Sequence, residues 1–175
     1  MEQNGVVRCL DEMGRLVIPR DFRKALRWRV SDPILITPRG KETLLLNKYR
    51  ELQTLGTIAD SLVDAFYGVY QVPVAVCDDH RLLASQGFGL HGAQPVSGEV
   101  RSIADKLSNM PGSYHKRFSL TDKDSPVAGL AVPILVNDRL SGLVVLGECV
   151  LRRDLAAFDK AAELLAKMMS LKFRF

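Results

Sequence analysis

The sequence is poor in the residues from which most catalytic and metal centres are built. It has three histidines and three cysteines in 175 residues. His80, His91 and His115 stand apart, with no H-x-E or H-E-x-x-H spacing, which excludes the common zinc patterns. Cys9, Cys77 and Cys149 form no C-x-x-C pair and no disulfide framework, so they read as reduced thiols of a cytoplasmic protein. No run approaches the roughly 20 apolar residues of a membrane span. The start lacks the basic-then-apolar signature of a secretory signal. No acid, base or nucleophile set converges anywhere. The expectation is a protein that is not an enzyme, with no catalytic residue, no metal and no cofactor.

The short motifs that do occur lack their context. Residues 87–92 (GFGLHG) fit G-x-G-x-x-G. A dinucleotide-binding turn must open a helix, and Ala93-Gln94-Pro95 follows instead, so the segment reads as a flexible loop. Residues 113–116 (SYHK) match S-x-x-K without the other elements of that catalytic set. Asp78-Asp79 reads as a turn rather than an acid pair.

What the chain has is an uneven charge. Residues 1–50 carry 11 Lys and Arg against 6 Asp and Glu, a net of +5; the remaining residues net −1. The whole basic excess lies in a short N-terminal segment, as in a polyanion-binding module joined to something else.

Within that segment, residues 5–10 (GVVRCL) and 15–18 (RLVI) read as strands around a tight turn at Asp11-Glu12-Met13-Gly14. Pro19 stops the second. Residues 20–27 (RDFRKALR) read as a short helix. Phe22, Ala25 and Leu26 share one face, and Arg20, Arg23, Lys24 and Arg27 fall within about 100° of arc on the other. Residues 34–37 and 43–48 are two more strands linked by Pro38-Arg39-Gly40-Lys41. A unit of about 45 residues buries too little surface to fold securely alone, so a partner chain is expected.

Leu52, Leu55, Ala59, Leu62, Phe66 and Val69 then follow at spacings of 3 and 4, the pattern of a coiled-coil seam. The same spacing also suits one core-facing helix. Beyond Pro73, residues 74–77 and 81–85 read as a hairpin, 98–110 as a helix capped by Ser97, and 114–120 as an edge strand. Residues 127–135 and 140–147 are further strands, and 154–172 a final helix. The order suggests an antiparallel sheet flanked by helices, giving an α+β chain with domains at 1–50 and 73–175 joined by an oligomerising helix at 51–72.

The string GVVRCLDEMGRLVIPRDFRKALRWRVSDPILI resembles the AbrB-like swapped-hairpin regulators. The shared pattern is G-[IV]-V-R, then D-x-[LM]-G-R-[VL]-V-I-P, a helix of E/D-[LF]-R-[RK]-x-L type, and D-x-[LI]-x-I. The resemblance implies that two chains interleave their hairpins into one dimeric barrel. It implies double-stranded DNA as partner, contacted by Arg8, Arg15, Arg23 and Lys24; Arg20 and Arg29 are further DNA-binding candidates outside the shared pattern, read from their charge alone. The whole layout resembles members of transition-state and sporulation type in which a GAF-like domain follows. Such a domain senses a small-molecule effector or mediates assembly into a homotetramer. The implied function is transcription regulation at the nucleoid in the cytoplasm. An antitoxin-like protein that binds a toxin and operator DNA is the alternative.

Three positions depart from the family pattern. Lys24 stands where Arg is usual, keeping the charge without the planar fork. Cys9 replaces a frequent basic residue. Ser31 stands where Gly is common, and a left-handed backbone there costs about 1 kcal/mol. The implied binding mode has neither a helix-turn-helix nor a zinc finger. It relies on counterion release, arginine contacts to guanine edges and the shape of bendable or A·T-rich sites.

Overall fold

A computed structural model describes residues 5–90, 92–122 and 126–173. The chain divides into two compact units, one ending at Tyr49 and the other beginning at Arg50.

The first unit holds helix α1 (Arg20–Ala25) and strands β1 (Ile34–Arg39) and β2 (Thr43–Lys48). The strands pair antiparallel from Ile34↔Lys48 to Arg39↔Thr43, turning at Gly40, whose φ is +76°. Helix α1 is shorter than its sequence suggests. Trp28 N–H donates to Arg23 O (2.7 Å) and Arg27 N–H to Lys24 O (3.0 Å), the bond pair of a Schellman cap. Arg27 sits at the left-handed position of that cap, with φ +55°, so it does not share the helical face of Arg20, Arg23 and Lys24. Ser31 is also left-handed, at φ +68°.

Residues 5–10 and 15–18 are not strands in this single chain. A strand needs a ladder partner. Among the described residues one backbone bond joins the two arms, from Asp11 N–H to Arg15 O at 3.1 Å. None of the described residues of the first unit is buried. Val6, Val7, Leu10, Met13, Leu16 and Val17, all in this hairpin, are between 50 and 89% exposed.

The second unit is a five-stranded antiparallel sheet, β3 (Val74–Cys77), β4 (Leu82–Gln86), β5 (Phe118–Ser119), β6 (Val127–Val136) and β7 (Arg139–Gly147), in the order β4-β3-β7-β6-β5. Helices α2 (Thr57–Tyr70) and α4 (Leu155–Leu171) pack on one face, where Val63, Phe66, Leu165 and Met169 meet Val74, Val144 and Leu146. Helix α3 (Gly98–Asn109) packs on the other, where Val100, Ile103 and Leu107 meet Ala75, Leu143 and Val145. Both sheet faces are covered, which is why β3, β6 and β7 read as continuous apolar runs rather than as alternating ones.

Local signals place the ends. Ser97 Oγ accepts from Val100 N–H at 3.1 Å and caps α3; Asp154 Oδ1 accepts from Ala157 N–H at 3.1 Å and caps α4. Asn137 and Asp138, with φ +50° and +59°, make the two-residue β6–β7 turn. The expected edge strand over residues 114–120 contracts to β5, with Tyr114 bridging separately to Ala131.

The predicted seam is redirected. Residues 52–69 do not form one helix: Glu51–Thr54 is a 3-10 turn, and Gly56, at φ +47°, separates it from α2. Leu52, Leu55, Ala59 and Phe66 lie in the core of this unit. Leu62 is half-buried against that core, and Val69 is 75% exposed. The seam therefore packs inward on its own sheet. Among the described residues, no helix is long and apolar enough to cross a membrane.

Candidate nucleic-acid interface

The cations singled out by sequence sit on two elements of the first unit. Arg8 and Arg15 lie on opposite arms of the hairpin, and Arg20, Arg23 and Lys24 lie on α1. The hairpin tip organises Arg15. Asp11 Oδ1 accepts from the backbone N–H of Met13 (3.0 Å) and of Arg15 (2.8 Å). Its other oxygen, Oδ2, accepts from Arg15 Nε at 2.8 Å. These bonds, led by the Arg15 backbone amide and then its guanidinium, hold the Asp11 carboxyl below the usual carboxylate range. Gly14 closes the turn at φ +73°, its N–H donating to Asp11 O at 2.8 Å.

Arg8 is exposed and its Nη1 donates locally, to Val7 O at 3.2 Å. Arg20 opens α1 behind Pro19, and Lys24 is exposed beside it. Arg23 differs from the others. It is half-buried, and its Nε has no hydrogen-bond partner among the described residues. An unpaired, desolvated guanidinium N–H is costly, and an incoming acceptor would relieve it. Arg29, between α1 and β1, has its backbone N–H held by Asp32 Oδ2 at 2.8 Å. Sequence reasoning missed Asp11 as the partner of Arg15. The acid-base spacing of four was visible, but it is ordinarily read as a helical pair and here spans a turn.

The second unit places the remaining candidates outside any catalytic arrangement. Gly87, Gly89 and Gly92 all have positive φ, which shapes the loop after β4, and Phe88 and Leu90 pack on the α3 side of the sheet. His91 lies outside the described residues. His115 pairs with Asp159 at 3.4 Å. Cys77 is fully buried in β3, and burial pushes its thiol far above its ordinary range. No group of three or more potential metal ligands occurs among the described residues. Two open grooves of about 930 and 820 Å³ flank the sheet, one beside Pro133, Glu163 and Lys167, the other beside Glu99, Lys106 and Tyr114.

No known family profile matches the chain. The chain is similar to stage V sporulation protein T of Bacillus subtilis (strain 168), with 29% identity over 179 residues. That likeness covers 97% of this chain and 99% of the relative. It is also similar to transition state regulatory protein AbrB of the same organism, with 29% identity over 109 residues. This second likeness covers 61% of the chain and 97% of that relative. The resemblance to AbrB-like regulators is thus carried by whole relatives as well as by the N-terminal motif. The second relative bears the name of a regulatory protein, and neither name is that of an enzyme.

Proposed function

We propose that this chain is a DNA-binding transcription regulator. Its first unit reads the duplex as an interleaved dimer, and its second, GAF-like unit assembles dimers into tetramers. The observation that carries the reading is the first unit itself. It is basic, it buries none of its described residues, and it exposes the apolar side chains of two arms that lack strand partners. A second copy would supply both the missing ladder and the missing core, as in a swapped-hairpin barrel. Each Val or Leu so buried contributes roughly 1.5–3 kcal/mol. Doubling the chain also doubles Arg8, Arg15, Arg20, Arg23 and Lys24 on one body, which suits a polyanion.

The antiparallel sheet with helices on both faces supports the GAF-like reading of the second unit. Its outer helical surface favours assembly as its role. In α2, Ile58, Leu62, Ala65 and Val69 recur at spacings of 4 and 3; in α4, Leu164, Met168 and Leu171 do the same. All but Leu62 are exposed. The two helices adjoin, with the Tyr70 and Phe158 rings 6.0 Å apart. This stripe, next to the inward-turned seam, is the better candidate for contact with a second copy. The folded second unit weighs against the antitoxin-like alternative, and a nucleoid location follows from the DNA-binding reading.

Fluorescence anisotropy with a labelled 30-bp duplex tests the function. The parent is expected to bind with strong salt dependence. Arg15→Ala and Arg23→Ala are each expected to weaken binding about tenfold or more at fixed salt. A parent whose binding ignores salt, together with two variants that bind as it does, would overturn the reading.

A further inference from the structure

Arg15 is expected to touch DNA, yet its closest charged neighbour is an acid. Asp11 lowers the charge of a surface that should attract phosphates, so its presence asks for a reason. The geometry supplies one. The Asp11 carboxylate grips Arg15 at both ends, through the backbone N–H and through Nε, each at 2.8 Å. The turn beneath is held by the Met13 and Gly14 amides. The Arg15 side chain is nevertheless 74% exposed. With Nε engaged, the part of the guanidinium left to face outward is its end, the paired Nη1 and Nη2 donors. That edge matches two adjacent acceptors, such as O6 and N7 of guanine or two phosphate oxygens.

We infer that Asp11 is a positioning residue that fixes the Arg15 fork end-on toward DNA, so that Arg15 discriminates between sequences instead of serving as a swivelling point charge. This rests on the DNA-binding reading above. It predicts a result opposite to simple electrostatics. Asp11→Asn removes one negative charge per chain, which by itself tightens binding to any duplex. The Asn carbonyl oxygen still accepts from the Met13 and Arg15 amides and keeps the turn, but its NH2 cannot accept from Nε. Arg15 is then released.

The test uses the full-length protein and two probes. One is the duplex that the parent enriches most from a random 30-bp pool; the other is a scrambled duplex of the same composition. For Asp11→Asn, affinity for the scrambled duplex is expected to stay within about threefold of the parent or to rise. The ratio between the two probes is expected to fall about tenfold or more, the loss of one bidentate contact. Arg15→Lys keeps Asp11 and the turn but removes the fork, and should lose the same discrimination. It serves as the decisive variant if Asp11→Asn fails to fold. Full discrimination in the folded variants overturns the inference while leaving the DNA-binding reading intact, provided Arg15→Ala still weakens both probes. A parent that binds without discriminating also overturns it. A parent that binds no duplex defeats both readings together.

Discussion

The side-chain amide of Gln53 donates to Asp78 Oδ2 at 2.8 Å, joining residues 25 positions apart. Asp78 is only 1% exposed. Its Oδ1 accepts from His80 N–H (2.7 Å) and Arg81 N–H (2.8 Å), and Arg50 Nε lies 3.6 Å from Oδ2 and 3.4 Å from Asp79 Oδ1. One buried carboxylate thus shapes the β3–β4 turn and fastens to it the first residues of the second unit. Leaving any of these groups buried and unpaired is costly. Asp78→Ala is expected to destabilise the second unit by about 3 kcal/mol, and Gln53→Ala by about 1–2 kcal/mol. Urea unfolding followed by far-UV circular dichroism measures both. Equal stability of Asp78→Ala and parent would contradict the role given to this carboxylate.

Two glycines should respond in opposite directions. A Cβ on Gly142 would collide with the Cys77 carbonyl and the Leu52 side chain, and the carbonyl belongs to the paired strand β3. Gly142→Ala is expected to cost about 2–3 kcal/mol. Gly68 lies within α2, where an added Cβ meets nothing within 4 Å. Gly68→Ala is expected to gain about 0.5–1 kcal/mol through helix propensity. Thermal unfolding of the two variants beside the parent decides the point.

The three thiols should separate by reactivity. Cys9 is exposed, Cys149 is half-buried and Cys77 is buried. At pH 8 a thiol reagent is expected to leave Cys77 unmodified until the second unit unfolds. Burial, reinforced by the charges of Asp78 and Asp79, raises the pKa of Cys77 in the folded state above its unfolded value. The contribution of this group is therefore complete below the ordinary thiol range. It declines as pH rises past that range, by at most about 1.4 kcal/mol per pH unit. Cys77→Ala should flatten that alkaline decline; the same slope with and without the thiol would exclude Cys77 as its source.

Assembly should depend on the outer stripe of α4. Leu164→Lys and Met168→Lys alter residues 60 and 46% exposed, so folding of the second unit should be untouched. Sedimentation equilibrium is expected to show these variants as dimers under conditions where the parent is a tetramer. If they remain tetrameric, the proposed contact lies elsewhere.

How much of this could be read from sequence depended on range. The cap at Ser97 was legible because a cap bonds two or three residues away. Strands β6 and β7 were legible because both their faces are apolar. The 3,4 spacing of Leu52 to Val69 identified an apolar stripe but not what covers it, since a core and an interface demand the same periodicity. Arg27 followed the helical wheel in sequence, whereas the Schellman cap turned it away. The arms of the hairpin carry strand-forming residues, but a strand is completed only by a neighbour, and the local pattern does not say on which chain that neighbour lies. The tie between Gln53 and Asp78 left no local trace at all.

If a second copy completes the first unit as proposed, the order of that unit becomes a matter of dose. Its apolar residues would then find cover only on another molecule, so the ordered fraction of the proposed DNA-reading unit would scale with chain concentration, while the second unit, with its own core, would not. Dilution would then switch off DNA reading before any loss of the rest of the molecule. A cell could set the onset of regulation by how many copies it makes, with no effector required.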